Sequence, residues 1–232
     1  MKKEIKSNNS NDEIEYKLIL LGDTSVGKTC LFKKITTGIF IEKNVSTVGI
    51  DRRTINFKCE FEVDGKNITK KIIVNLTDTA GEERFKAITK SYYKGSDGAI
   101  LLYDITEKKS FEHLKDWIES IKSSLAKIDD DKYSIFLLGT KIDLVNSGKK
   151  EREVELEEAE NICKELGLVW GGECSNKDFS EEKYKDIFKD FIHIIYSKIG
   201  FKEFLSQSAV KLEPNSKKKK PNNNCCLNQK FN

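Results

Sequence analysis

The residues with the clearest chemical potential are Gly22-Asp23-Thr24-Ser25-Val26-Gly27-Lys28-Thr29, which fit the spacing G-x-x-x-x-G-K-[ST]. They stand between an apolar run that ends at Leu21 and a helical period that begins at Thr29. The backbone N–H groups of such a loop can wrap a β-phosphate, and the helix start adds a positive dipole. Lys28 supplies a point charge and the Thr29 hydroxyl can ligate Mg²⁺. Asp23, Thr24, Ser25, Val26, Gly27, Lys28, Thr29 and the adjoining Cys30 are therefore nucleotide-binding candidates. This loop indicates a nucleoside triphosphate without saying which one.

The base is addressed by a second group, Thr140-Lys141-Ile142-Asp143, which follows the apolar run Ile135 to Gly139. It falls at the C-terminal end of a strand, where open α/β sheets bind ligands. A carboxylate at Asp143 can accept hydrogen bonds from N1–H and the exocyclic amine of guanine, a pair that adenine lacks. A lone K-x-D is equally a solvated loop charge. Its company matters here: the phosphate loop upstream, and Ser175, Asn176 and Lys177 after the last apolar run. A third group, Asp78-Thr79-Ala80-Gly81-Glu82-Glu83-Arg84-Phe85, again opens at a strand end. Asp78 can hold Mg²⁺ through water, and the Gly81 N–H can approach a γ-phosphate because no side chain blocks it. The same residues also read as an acidic helix start favoured by the dipole, and the two readings are compatible.

The elements that must position these groups alternate between short apolar runs and helical periods, the pattern of an α/β domain with a mostly parallel sheet. Strands are expected at Tyr16 to Leu21, Ile50 to Val63, Ile68 to Leu76, Ala99 to Tyr103, Ser134 to Gly139 and Leu168 to Gly171. Asp64-Gly65 is a hairpin signal, so the second and third strands should run antiparallel. Helices are expected at Thr29 to Thr37, Glu83 to Lys94, Ser110 to Lys127, Glu155 to Leu166 and Glu181 to Ile199. The last carries Tyr184, Ile187, Phe188, Phe191, Ile192, Ile195 and Ile199 at three- and four-residue spacing, a stripe for packing on the sheet. His113 and His193 fall in helical stretches and read as ordinary surface or core residues.

Charge divides the chain of 232 residues. Its formal +3 combines a body at −2 with a tail, residues 202–232, that holds seven Lys against two Glu. Both prolines lie in that tail and all 14 glycines precede it. Three parts are expected: a disordered N-terminal extension at 1–14, a folded domain at 15–201, and a disordered basic tail at 202–232. No apolar run approaches the ~18 residues of a membrane span. Met1-Lys2-Lys3-Glu4 precedes Ser and Asn, not an apolar segment, so no secretory signal is read. Six cysteines without metal-like spacing, four of them (Cys30, Cys59, Cys163 and Cys174) scattered through the body, suit a reduced, intracellular chain. Nucleic acid is not an expected partner, because the basic residues gather in the tail and not on a folded face.

Together these residues resemble a small GTPase of the Ras superfamily, and several stretches are Rab-like. The resemblance rests on Gly22 to Thr29, Asp78 to Phe85, Ile88 to Gly95, Leu102-Tyr103-Asp104-Ile105-Thr106 and the pair Cys225-Cys226. It covers about residues 14 to 200 and the tail. It implies a P-loop NTPase G domain: a six-stranded, mostly parallel sheet with one antiparallel edge strand, flanked by about five helices. It also implies a switch that binds GTP or GDP with Mg²⁺ and hydrolyses GTP, with Lys28, Gly81 and Glu82 at the reacting phosphate. Thr47 would bind Mg²⁺ with Thr29 and Asp78, and Phe40 would pack near the base. The partners implied are an exchange factor, a GTPase activator and effectors in vesicle traffic. The place implied is the cytosolic face of an intracellular membrane, with Cys225 and Cys226 prenylated beside the basic Lys217 to Lys220.

The sequence departs from the family at several points. Glu82 stands where a glutamine usually positions the attacking water. Arg52 and Thr77 replace a Phe and a Trp that usually join an aromatic, here Tyr92, in an apolar effector-facing triad. Thr140 stands for the usual Asn, which leaves guanine selection to Asp143. Asn176 replaces an Ala whose backbone N–H meets the base, a donor that tolerates the exchange. Six residues follow Cys225-Cys226, more than Rab tails usually carry, and the end does not fit C-a-a-X. Within the family, Glu82 leaves open a slowly hydrolysing scaffold that stays loaded with GTP and meets atypical effectors. A P-loop small-molecule kinase is the alternative from another class, but long insertions for a substrate site and lid are missing.

Overall fold

The computed structural model describes residues 13–41, 49–63, 65–79, 95–125 and 133–210. Six strands form one sheet: β1 (Glu13–Leu21), β2 (Ile50–Val63), β3 (Lys66–Thr79), β4 (Gly98–Asp104), β5 (Ser134–Thr140) and β6 (Val169–Glu173). Their order across the sheet is β2-β3-β1-β4-β5-β6. The β2–β3 pairing is antiparallel, as the hairpin signal predicts, and β1, β3, β4, β5 and β6 run parallel. The helices of the described residues are α1 (Lys28–Thr37), α2 (Lys108–Glu112), α3 (Leu114–Leu125), α4 (Ile142–Asn146), α5 (Leu156–Leu166) and α6 (Glu181–Val210).

Apolar alternation on the strands divides the core between two faces. On β1, Leu18 and Leu20 join α1 and α6 through Leu31, Phe32, Phe188 and Ile192. Ile19 and Leu21 face the other way and pack with Trp117 and Ile121 of α3 and Ile162 of α5. β4 and β5 are buried along their full length, as expected for central parallel strands covered on both faces. Most of the expected α6 stripe is realised, with Tyr184, Phe188, Phe191, Ile192 and Ile195 all buried. Phe136 and Phe191 stack with centroids 4.2 Å apart.

Several boundaries differ from expectation. β3 continues three residues past Leu76, because its ladders with β1 and β2 persist to Thr77 and Thr79 respectively. The stretch Ser110 to Lys127 is divided at His113 into α2 and α3. Here Ser110 is tied back to the end of β4: its Oγ accepts from the Asp104 N–H at 3.0 Å and donates to the Glu107 carbonyl at 2.8 Å. α4 is an additional short helix in the first turn beyond β5. α6 runs to Val210, beyond the composition break near Phe201. The expected helix at Glu83 to Lys94 lies outside the described residues, as does the chain after Val210.

Candidate functional site: a phosphate loop and a base-side loop

The C-terminal ends of β1, β3, β5 and β6 bring three of the sequence groups to one edge of the sheet. The loop after β1 turns through left-handed backbone at Gly22 (φ 132°), Ser25 (φ 65°) and Gly27 (φ 104°). A Cβ on Gly22 would lie 2.3 Å from the Leu102 carbonyl oxygen, so only glycine passes β4 at this distance. Ser25 and Lys141 (φ 67°) are the only non-glycine residues of positive φ among the described residues, and both belong to this site. Backbone strain of this kind is held in place by its surroundings and clusters at binding sites. Thr24 and Ser25 are exposed on the rim, whereas Val26 is buried beneath it.

Lys28 opens α1, and no side chain caps that helix, so its first N–H groups remain available to an anion. Its ammonium is buried and donates to the carbonyls of Gly22 (2.8 Å) and Asp23 (2.6 Å). Desolvation lowers its pKa to about 8, against the opposing pull of Asp78 and Asp23. The Thr29 hydroxyl donates to Asp78 Oδ2 at 2.7 Å, joining residues 49 positions apart. Asp78 Oδ1 is buried without a hydrogen-bond partner, and burial pushes the carboxyl above its usual range, tempered by the Thr29 bond and Lys28. A buried, half-satisfied carboxylate next to a threonine hydroxyl is a donor set that fits Mg²⁺, because a water of the ion's shell can occupy Oδ1.

Only the backbone of Asp23 is expected to serve the loop, and its side chain has partners elsewhere. Its carboxylate oxygens face α3 and the break before it: Trp117 Nε1 donates to Oδ1 at 2.7 Å, and His113 Nδ1 meets Oδ2 at 2.5 Å. Its side chain thereby anchors the loop to the segment around His113 and Trp117. His113, expected to be an ordinary surface or core residue, is thus a direct neighbour of the phosphate loop. The two contacts span 90 and 94 residues, so no local pattern signals them.

On the base side, Lys141 is left-handed at the start of α4 and pairs through Nζ with the buried Asp104 at 2.7 Å. Asp143 lies half-buried in the first turn of that helix. The Thr140 hydroxyl lies within hydrogen-bonding distance of the carbonyls of Val26 (2.7 Å) and Tyr103 (2.9 Å), tying β5 to the phosphate loop. Ser175 is buried and accepts the Asp178 N–H at 2.9 Å, Asn176 is buried, and Lys177 is exposed. Arg152 clamps Glu173 through two hydrogen bonds of 2.6 and 2.8 Å, which fixes the start of this loop. Cys30 is partly buried, and its thiol reaches the Ile41 carbonyl at 3.7 Å, next to the half-buried Phe40. Thr47, Gly81, Glu82, Tyr92, Cys225 and Cys226 lie outside the described residues.

The model of the Ras family matches residues 17–197. The chain belongs to that family, on its Rab-like branch. It is 40% identical over 153 residues to Ras-related protein Rab-13 of Bos taurus, covering 66% of this chain and 68% of that one. GTP-binding protein ypt1 of Schizosaccharomyces pombe is 33% identical over 227 residues, covering 93% and 100% of the two chains. Ras-related protein RABD2a of Arabidopsis thaliana is 37% identical over 171 residues, or 72% and 75%. Family membership carries with it, in general, GTP and GDP as ligands, Mg²⁺, GTP hydrolysis, and exchange factors, activators and effectors as partners. No described helix is long and apolar enough to cross a membrane.

Proposed function

We propose that this chain is a Rab-like switch of vesicle traffic that binds GTP along the edge formed by the loops after β1, β3, β5 and β6. The observation that carries the reading is the Thr29–Asp78 hydrogen bond with its orphaned Asp78 oxygen, set beside the buried Lys28. In this reading the backbone of Asp23 to Lys28 cradles the phosphates, and Lys28 turns its ammonium from loop carbonyls to phosphate oxygens. Asp143 accepts from guanine, Lys141 and Phe40 flank the base, and Ser175, Asn176 and Lys177 close the base side. Thr29, Thr47 and Asp78, the last through water, would hold Mg²⁺. The ion would neutralise charge on the β- and γ-phosphate oxygens. Gly81 would sense the γ-phosphate and Glu82 would face the attacking water.

Glu82 keeps an acceptor for that water but lacks an amide donor, and it brings negative charge toward the γ-phosphate. Single-turnover hydrolysis of the wild type is expected to differ from that of Glu82→Gln, with and without an activator, and equal rates would end this part of the reading. Cys225 and Cys226 are proposed as prenyl acceptors next to a basic segment facing an anionic leaflet. The intact mass from a eukaryotic lysate should show two added isoprenoids. The whole reading is tested by denaturing the purified protein and identifying the released nucleotide, which is expected to be GDP or GTP. Recovery of adenine nucleotide, with Asp143→Ala leaving selectivity unchanged, would sink it.

Effector choice should also be unusual. Arg52 and Thr77 are register partners across β2 and β3, and they line a groove of about 520 Å³ with Lys17, Arg53, Asn75 and Ser96. Aromatic anchors supply much of the binding energy at interfaces, and none of these six residues is aromatic. Weak capture of common Rab effectors in a pull-down is expected, and ordinary affinity would refute it.

A further inference from the structure

Asn176 is only 6% exposed, and its amide is satisfied at both ends. Nδ2 donates to the Gly27 carbonyl at 3.1 Å, and Oδ1 accepts the Tyr184 hydroxyl of α6 at 2.7 Å. Tyr184 is fully buried, and burial holds its phenol far above the usual range, so it remains an O–H donor. The amide can have only one orientation. Turned over, it would aim an oxygen at the Gly27 oxygen and leave two buried acceptors face to face. Gly27 has no side chain in the way: a Cβ there would lie 2.7 Å from Asn176 Nδ2.

The Gly27 carbonyl already accepts the Leu31 N–H at 2.9 Å, so Asn176 is a second donor that fixes the plane of the 27–28 peptide. In a trans peptide the N–H points opposite to the C=O, so a fixed Gly27 carbonyl fixes the Lys28 N–H. Thr140 acts in the same way one residue earlier, because its hydroxyl meets the Val26 carbonyl and so orients the Gly27 N–H. Two successive donors of the phosphate loop are thereby aimed from the base side of the site.

We propose that the Asn176 side chain, oriented by Tyr184, is a positioning residue that holds the phosphate loop in its nucleotide-binding shape and slows GDP release. This goes beyond the backbone role that the resemblance gives that position, and it rests on reading residues 22–29 as the phosphate loop. It also makes α6, through Tyr184, part of the nucleotide site, although α6 contributes no residue to the loop itself.

The test loads the full chain with N-methylanthraniloyl-GDP and follows its release into excess GDP with Mg²⁺ present. Loss of one buried hydrogen bond predicts release about 3- to 10-fold faster for Asn176→Ala. Asn176→Asp, similar in shape but presenting an oxygen to the Gly27 carbonyl, should release faster still. Tyr184→Phe should accelerate release less than either. Because Tyr184 acts through the amide, adding Tyr184→Phe to Asn176→Ala should change nothing more. Wild-type release from Asn176→Ala, or additive effects in the pair, overturns the proposal. If Asn176→Ala does not fold, Tyr184→Phe decides alone: unchanged release overturns the proposal and faster release supports it. A wild-type chain that retains no labelled GDP overturns the phosphate-loop reading instead, so the two failures are distinguishable.

Discussion

The nucleotide edge and the β2–β3 ribbon both depart from the Rab pattern, but the departures are absorbed in different ways. At the nucleotide edge, Thr140 and Asn176 are buried, and each polar atom that replaces a family residue has a partner: Thr140 reaches two carbonyls, and Asn176 uses both ends of its amide. On the ribbon, Thr77 is buried, but its ladder partner Arg52 is exposed, on the face opposite Ile55, Phe57, Cys59 and Phe61. The difference follows from solvation. A buried polar atom without a partner costs about 1–3 kcal/mol, so a change in a buried network requires a matching change nearby. An exposed position is constrained mainly by the partner it meets.

The comparison can be broken at graded points. The largest effect is expected for Lys28→Ala, which removes a buried cation from the phosphate loop. A charge-assisted hydrogen bond is worth about 1.5–3 kcal/mol, so GDP affinity should fall about 10- to 100-fold in a fluorescence titration. Next is Thr140→Val, which keeps the shape and deletes the donor for the Val26 and Tyr103 carbonyls. Urea denaturation should show a loss of about 1–3 kcal/mol, and an unchanged midpoint would mean that the buried network tolerates vacancies after all.

A third expectation concerns pH. With Lys28 at about 8 in the free protein, the ammonium is charged on both sides of the binding equilibrium below that pH, and GDP affinity should be flat. Above it Lys28 of the free protein loses its proton, whereas Lys28 paired with phosphate stays an ammonium, so binding must take up a proton. Affinity should then fall by up to about tenfold per pH unit, and calorimetry in two buffers of different ionisation enthalpy would detect the uptake. The smallest effect is expected on the ribbon: Arg52→Ala should move stability by no more than about 0.5 kcal/mol, as measured by thermal melting. A larger loss would show that the ribbon is also a coupled network.

The fold was legible wherever periodicity is local. The hairpin follows from its Asp64-Gly65 turn signal, and the parallel sheet and the α6 stripe from apolar spacing that burial on one or two faces requires. The ends of elements were less legible. β3 reaches Asp78 and Thr79 because β2 keeps pairing with it to that end, while β1, 58 residues upstream, pairs with it as far as Thr77, and no local propensity encodes either influence. The Thr79 hydroxyl, bonded to the Leu20 carbonyl at 2.8 Å, marks the same long-range control. Of the site, the phosphate loop and the T-K-x-D group could be read directly, because backbone geometry and residue type within a few positions define them.

Residue type and local spacing specify the chemistry on offer: a glycine-framed loop with Lys28 and Thr29, carboxylates at Asp78 and Asp143, and the α/β order that delivers them to strand ends. These depend on neighbours in the chain, where spacing is fixed by covalent geometry. How those groups hold one another is set by packing. Asp23 turns to His113 and Trp117, Lys141 to Asp104, and Asn176 to Gly27 and Tyr184. Most of these partners lie tens of residues or more apart, and Asn176 and Tyr184, only eight apart, meet through the turn into α6. Which donor finds which acceptor depends on the packed sheet that brings them within about 3 Å.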